Sequence, residues 1–353
     1  MDYSTNSDIN TSTLYSIVGK IIDVITDYSP LTMFLLSNQK KWEGMDTRFP
    51  IKYQKSTNGM NFTGLEKFNT NVTRNRTYMK FDPVGKEQPV VVPGLEMDIN
   101  ATKPVINLLK SKAEEAAIDA ADDIATQFYT IQTGKNFLSV LDVADDGSNV
   151  STYGNLSRST YTGIKGNYTG SVGTLTRAIM STMYNSCEHG KESPDLIIVP
   201  KAVWNYVESL LTPTLQTSIT KVSLEGYPQW TRNGIVPSKA GLAGETGFNA
   251  IYFRGTPVVA DEKAPSGTML FLNTKHIAFY GLPTTVNGYK PFTWTSDTIE
   301  GVYTKVPKTF GWSFSGFNVP IDQYGVVGHI LLNGNLIADN PRLFGQLAGI
   351  TGV

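Results

Sequence analysis

Residues 102–133, TKPVINLLKSKAEEAAIDAADDIATQFYTIQT, decide how the rest of the chain is read. Ile106, Leu109, Ala113, Ala117, Ala121, Ile124, Phe128 and Ile131 recur at three- and four-residue spacing, which places them on one face of a helix. Pro104 fits a first helical turn, where its missing N–H has no partner to lose. Gly134 follows the last periodic residue and suits a left-handed helix end. The spacing predicts a single helix over 102–133, about 45 Å long from the usual helical rise. The opposite face carries Glu114, Glu115, Asp119, Asp122 and Asp123. We read these as a solvated or subunit-facing charge row, not as carboxylates paired for acid–base work. The apolar stripe narrows to alanine in the middle, where a sheet or another chain can approach closely. So long a rod exceeds the usual globular helix. The plain alternative is a core-packed surface helix of an α+β domain.

Upstream, residues 1–12 form a polar arm, and 13–27 carry an amphipathic pattern of Leu14, Ile17, Val18, Ile21, Ile22 and Ile25. Pro30 stops that pattern, and a second apolar cluster follows from Leu31 to Leu36. Thr47 to Tyr53 reads as a strand, and Asn58-Gly59 as a turn with positive φ. Phe62 to Phe68 and Val72 to Phe81 alternate loosely and stay polar. A polar two-stranded arm is marginal alone and makes sense lying across an adjacent subunit. Gln88 to Gly94 is a short apolar strand leading into the long helix.

Downstream, Asp145 to Gly154 begins like a calcium loop but lacks the EF-hand spacing and its closing glutamate. Residues 174–187 read as a helix with Leu175, Ala178, Ile179, Thr182, Met183 and Ser186 forming one narrow face. Pro194 to Val199 is a buried strand followed by a helix to Leu211. After a glycine-studded loop come strands at 250–253, 256–260, 268–273 and 277–280. The last stretch, 286–353, reads as strands and turns with Trp294, Trp312 and Phe317, including a strand from 328 to 336.

Composition narrows the function. The chain has 353 residues, enough for two or three domains. Charged residues are 17%, below the ordinary ~25%, which suggests that something other than water covers much of the surface. Lys plus Arg is 30 and Asp plus Glu is 31, a net charge of −1, so no basic excess holds nucleic acid by its phosphates. The single cysteine, Cys187, makes no internal disulfide and reads as a small buried apolar residue. The N-terminus lacks the pattern of a signal peptide, and no apolar run approaches the ~20 residues of a membrane helix. We expect a cytosolic setting, or a particle assembled there, and no membrane partner.

No motif carries chemistry. His189, His276 and His329 fall in three segments without local metal-ligand spacing, and His189 reads as a helix end. The chain contains neither a Gly-x-Ser-x-Gly elbow, nor a Walker loop, nor a Gly-x-Gly-x-x-Gly after a strand. Trp204, Trp230, Trp294 and Trp312 read as core packing. We therefore expect no catalytic, cofactor-binding or metal-binding residues and no cofactor. The form that remains is a long rod, a core-less extended arm and an N-terminal arm, which are features of a subunit that interlocks with its own copies.

Three stretches carry a family resemblance. Asp145 to Tyr161 resembles the segment after the spine helix in major capsid proteins of tailed bacteriophages. Pro194 to Leu211 resembles the entry to their axial domain. Phe253-Arg254-Gly255-Thr256-Pro257-Val258-Val259-Ala260-Asp261-Glu262, then Pro265-Ser266-Gly267 and Phe271-Leu272-Asn273, is similar to that domain's hairpin. The likeness runs from about residue 47 onward, loose in each motif but consistent in order and spacing.

The resemblance implies an α+β chain of the Hong Kong 97-type capsid fold. Its parts would be an N-terminal arm (1–50), an extended β loop with flanking strands (51–99) and a peripheral domain with the spine helix (100–190). An axial domain (191–285) and returning peripheral strands with the C-terminus (286–353) would follow. It also implies hexamers and pentamers of an icosahedral or prolate shell around double-stranded DNA, contacted non-specifically. Partners would be a separate scaffolding protein, expected because about 45 residues precede the loop, a portal and a decoration protein. Some members crosslink a loop lysine to a neighbour's asparagine; Lys52, Lys55, Lys67, Lys80 and Lys86 share that location, and a solvated lysine is the plain reading of each. Deleting 54–84 is expected to leave a soluble subunit that forms no stable shells. The rivals are an encapsulin-like nanocompartment shell, and a hydrolase or carbohydrate-binding protein with a site in the 226–247 loops.

Overall fold

The computed structural model describes residues 29–102, 108–211, 250–283, 290–291 and 311–352. The N-terminal arm, the 13–27 pattern, Pro104, the loop after 211, Trp230 and Trp294 lie outside the described residues. In chain order come helix α1 (Pro30–Ser37), strands β1 (Lys40–Lys41), β2 (Thr47–Lys52), β3 (Arg76–Phe81) and β4 (Val84–Pro93), and helix α2 (Gly94–Thr102). The long helix α3 (Leu108–Phe128), α4 (Val140–Ala144), β5 (Asn167–Thr169), α5 (Arg177–Cys187), β6 (Leu196–Val199) and α6 (Lys201–Leu211) follow. Then come β7 (Ala250–Phe253), β8 (Thr256–Ala260), β9 (Met269–Leu272), β10 (Ile277–Gly281) and β11 (Lys290–Pro291). Strands β12 (Trp312–Phe314), β13 (Gly325–Ala338) and β14 (Gly345–Leu347) complete the main sheets.

The first sheet has the order β1-β10-β13-β12-β11, with β4 also paired to β13. Strand β13 is its axis: Gly325 to Gly334 run antiparallel to β4, and Gly334 to Ala338 to β10. Alternation sends Val90, Val92, Ile330 and Leu332 inward. Helix α3 packs on β4 and β13 through buried Ala116, Ala117, Ala120, Ala121, Ile124, Ala125 and Phe128, whose small side chains let helix and sheet close up. Phe128, Phe137 and Phe279 cluster there with ring centroids 5.5 to 6.4 Å apart.

The helix ends earlier than its periodicity predicts: α3 stops at Phe128. Its end tightens to three-residue spacing, with Tyr129 N–H donating to the Thr126 carbonyl and Thr130 N–H to that of Gln127. The chain then turns because the buried Asp142 carboxylate accepts the Gln132 N–H at 3.0 Å. A tertiary acceptor thus overrides a pattern that continues to Ile131. Gly134 is left-handed at φ 60°, in the turn beyond the helix end.

The second sheet has the order β7-β8-β6-β9-β14-β5. It therefore draws β5 and β14 from outside 191–285, while β10 joins the first sheet. Strand β6 is apolar throughout because both its faces are covered. Leu196 and Ile198 face the main core; Ile197 and Val199 face a second core with α5 and α6. The packed face of α5 is Met180, Met183, Tyr184 and Cys187. The predicted face holds at Leu175, Ile179 and Met183 and fails at Ala178, Thr182 and Ser186, which are exposed, and the two hydroxyls donate back to carbonyls of their own helix at 3.0 Å. The sulfurs set the rotation by seating over Gly345, where a Cβ would lie 2.5 Å from Cys187 Sγ and 2.7 Å from Met183 Sδ. Burial pushes the Cys187 thiol up to about 12. Arg254 (φ 51°) and Gly255 (φ 82°) make the two-residue turn joining β7 to β8.

Candidate functional site

The feature that invites function is an arm without a core. Strands β2 and β3 pair from Thr47–Phe81 to Lys52–Arg76. Their root is held by buried Met79 and Phe81 and by aromatic edges, Phe49 to Phe81 at 6.0 Å and Phe81 to Tyr153 at 5.2 Å. Beyond Lys52 the ladder stops, and 53–75 contains no strand. The predicted strand at 62–68 is therefore absent, and the second strand begins at Arg76, not Val72. Gly64 (φ 93°), not Gly59, has the positive φ. The arm keeps its shape by Tyr53 Oη donating to the Arg74 carbonyl at 2.8 Å and by Phe62 and Phe68 in edge contact at 5.2 Å. Met60, Phe62, Leu65, Phe68 and Val72 are exposed, Leu65 completely at 108%. Too little apolar surface is covered within the arm to offset the entropy of ordering it.

A second exposed apolar surface surrounds α2. Leu95 and Ile99, one helical turn apart, are 65% and 63% exposed. Val91 precedes them, and Val319, Ile321 and Tyr324 stand out from the loop before β13. Tyr324 joins loop to helix: its carbonyl accepts the Gly94 N–H at 3.0 Å, its ring lies against Gly94, and its hydroxyl bonds the Asp98 carboxylate.

Two buried carboxylates tie distant parts of the chain together. Asp261 accepts from Ser29 Oγ at 2.8 Å, Tyr129 Oη at 2.7 Å and Lys263 N–H at 2.9 Å, tying α1, the end of α3 and the exit of β8 together. Burial pushes its carboxyl above the ordinary range, against those hydrogen bonds. Asp145 pairs with the fully buried Arg158 at 3.1 Å and also accepts the Gly147 and Val150 N–H groups. The loop that begins like a calcium site thus spends its first carboxylate on an arginine. Arg158 lies over the Tyr153 ring at 5.3 Å, and desolvation holds its guanidinium below its ordinary value. Neither Asp261 nor Arg158 carries a periodic signal that sequence reading could use.

The candidate chemical residues do not converge. His276 bonds Asp339 at 2.7 Å, His329 bonds Glu87 at 2.7 Å, and His189, just past the end of α5, exchanges backbone bonds with Glu192. Burial, then the charge of Arg342, lowers the His189 pKa. The His276–Asp339 pair edges an open groove of about 470 Å³ whose lining, from Phe49–Tyr53 to Arg342, contains neither serine, threonine nor cysteine. Among the described residues there is no cluster of three metal-ligating side chains, and no helix is long and apolar enough to cross a membrane. The acidic row of α3 is partly used within the chain: Asp122 pairs with Lys263 at 2.8 Å and Asp123 with Lys86 at 2.7 Å. Of the loop lysines, Lys80 is also paired, to Asp82 at 3.1 Å, and Lys52, Lys55 and Lys67 are exposed.

No family model matches the sequence, and no curated protein matches it. In fold the chain is similar to solved shell subunits over its whole length. A chain of the cyanophage A-1(L) capsid matches with a TM-score of 0.69 at 14% identity, covering 98% of this chain and 99% of that one. A capsid chain of a native GTA particle matches at 0.59 and 9% identity, over 99% and 100%. The holo-SrpI encapsulin of Synechococcus elongatus PCC 7942 matches at 0.57 and 12% identity, over 98% and 95%. The fold, a mixed arrangement of helices and sheets, is the one these capsid and encapsulin subunits share.

Proposed function

We propose that this chain is the structural major capsid protein of a tailed bacteriophage. It assembles with its own copies into hexamers and pentamers of an icosahedral or prolate shell around double-stranded DNA. The observation that carries the reading is the fold match to a phage capsid chain over 98% of this chain and 99% of that one. The coreless arm supports it, because a neighbour can supply the covering surface that the arm lacks. In the Hong Kong 97-type division, 1–50 is the N-terminal arm, 51–99 the extended loop and 100–190 the peripheral domain with α3 as spine. Residues 191–285 are the axial domain and 286–353 the returning strands. The work is self-association without catalysis, in the virion after assembly in the host cytoplasm. Scaffold, portal and decoration proteins are its partners, and packaged DNA is contacted non-specifically.

Analytical ultracentrifugation with negative-stain imaging tests this. Particles tens of nanometres across, or discrete pentamers and hexamers, are expected; a monomer at every concentration, with and without scaffold, would sink it. The structure refines the arm deletion. Cutting to residue 84 removes buried Met79 and Phe81, so 55–73 should be replaced by a short glycine–serine linker instead. That variant is expected to stay folded and to lose stable shells. The encapsulin likeness favours a second reading, a nanocompartment shell. Purified particles holding a protein cargo and no nuclease-protected DNA would select it.

A further inference from the structure

Asparagine followed by glycine is a labile pair, because glycine leaves its own backbone nitrogen free to swing onto the asparagine side-chain amide. The chain has four such pairs, and two of them, Asn58-Gly59 and Asn333-Gly334, fall among the described residues. Their surroundings are opposite. Asn333 lies inside β13, where its N–H donates to the Gly311 carbonyl at 3.0 Å and its carbonyl accepts the Leu282 N–H at 2.8 Å. Gly334 pairs with both Val84 and Gly281, and a Cβ there would lie 2.2 Å from the Tyr280 carbonyl oxygen. Gly59 is exposed in the arm with nothing within 4 Å of the place a Cβ would take, and its N–H has no acceptor among the described residues. Asn58 is held beside it. Its Nδ2 donates to the Asn71 carbonyl, and its Oδ1 accepts from Asn69 Nδ2 at 3.4 Å. These bonds tie the two limbs of the arm beyond the point where Tyr53 and Gln54 both donate to the Arg74 carbonyl.

We propose that Asn58-Gly59 is a self-modification site, at which the folded chain converts Asn58 to aspartate or isoaspartate and so unties its own arm. The Gly59 nitrogen gives its proton to hydroxide and bonds to Asn58 Cγ. The Cγ–Nδ2 bond then breaks, the nitrogen takes a proton from water and leaves as ammonia, and a second water opens the five-membered imide. The net change is one water consumed and one ammonia released, with no oxidation or reduction. Asn69 Nδ2 donates to the oxygen on which negative charge develops during the attack. The product carries no Nδ2 donor, so a carboxylate is left facing the Asn71 carbonyl, acceptor against acceptor. Ring closure at Asn333 would instead require Asn333 and Gly334 to leave the ladder they share with β4 and β10. The inference concerns the single chain and stands apart from the shell reading.

The test uses the full chain, incubated folded in mildly alkaline buffer, digested with trypsin and read by mass spectrometry. The peptide 56–67 should acquire aspartate and isoaspartate at Asn58 at least tenfold faster than Asn333 is converted. In urea the two rates should converge, since only the fold separates the pairs. Gly59 does not have a positive φ, so Gly59→Ala is accommodated and should slow the conversion at least tenfold. Asn69→Asp keeps the acceptor for the Asn71 N–H but lacks the donor to Asn58, and should slow it severalfold. Asn58→Asp should speed amide hydrogen exchange across 69–75 relative to freshly prepared wild type. Equal rates at Asn58 and Asn333 in the folded chain overturn the site, as does a difference that persists in urea. An unchanged rate in Asn69→Asp overturns the part given to Asn69, and unchanged exchange in Asn58→Asp overturns the untying of the arm.

Discussion

Two antiparallel pairs in this protein have the same ladder chemistry and opposite fates. Strands β4 and β13 pair over Val84–Gly334 to Pro93–Gly325, and α3 covers the inner face of the pair, so Val90, Val92, Ile330 and Leu332 are buried. Strands β2 and β3 pair over a shorter register, bury Met79 and Phe81 at the root, and then lose their ladder where no layer covers them. Backbone pairing alone does not keep a hairpin; the third layer does. One pair finds that layer in its own chain, and the shell reading gives the other its layer in a neighbour.

The comparison can be broken from its strongest side first. Arg158→Ala leaves Asp145 buried without its cation, and truncating one partner of such a pair costs about 3–5 kcal/mol. Urea unfolding of the subunit should show that loss, and a change under about 1 kcal/mol would mean that the braced half is not where stability lies. Ile330→Ala, beneath α3, should cost about 2–5 kcal/mol by the same measurement.

A pH series sharpens the comparison. Burial holds the Asp261 carboxyl above the ordinary 3.8, so in a window above that value the folded state keeps a proton that the unfolded chain releases. This contribution is present below the unfolded pKa and is lost as pH rises through the folded one. Wild type should therefore gain stability relative to Asp261→Asn as pH falls toward about 4. A difference flat with pH would show that Asp261 titrates as it does in the unfolded chain. The smallest subunit effect is expected for Phe62→Ala in the arm, within about 0.5 kcal/mol in the isolated subunit. Its shells should nonetheless be measurably less stable to heating. A large loss in the free subunit would mean that the arm packs on its own chain.

Much of the second sheet was legible in advance. Leu196 to Val199, the helix to Leu211 and the strands from 250 to 281 are dense apolar runs bounded by glycine, proline or asparagine, and such runs have few alternative placements. The face of α5 was legible only in part: Leu175 and Met183 are buried as the spacing predicts, but Ala178, Thr182 and Ser186 fit that spacing as well as Met180, Tyr184 and Cys187 do. Its true rotation depends on Gly345, distant in sequence. The exposed arm could be anticipated as a polar stretch that cannot build a core. The surface around α2 could not, because Leu95, Ile99 and Ile321 look like core residues until the fold leaves them outside.

By itself the sequence determined where helices and strands can form and that 53–75 lacks the apolar density to fold alone. Those are local properties, set by spacing and composition within a few turns. The tertiary structure alone decided that α3 stops at Phe128, where a buried carboxylate from α4 captures the chain. It also decided that Asp145 serves Arg158 and that Asp261 joins Ser29 to Tyr129 across 232 and 132 residues. A buried charge is tolerated only where distant partners meet it, and which partners meet is settled by how the layers pack.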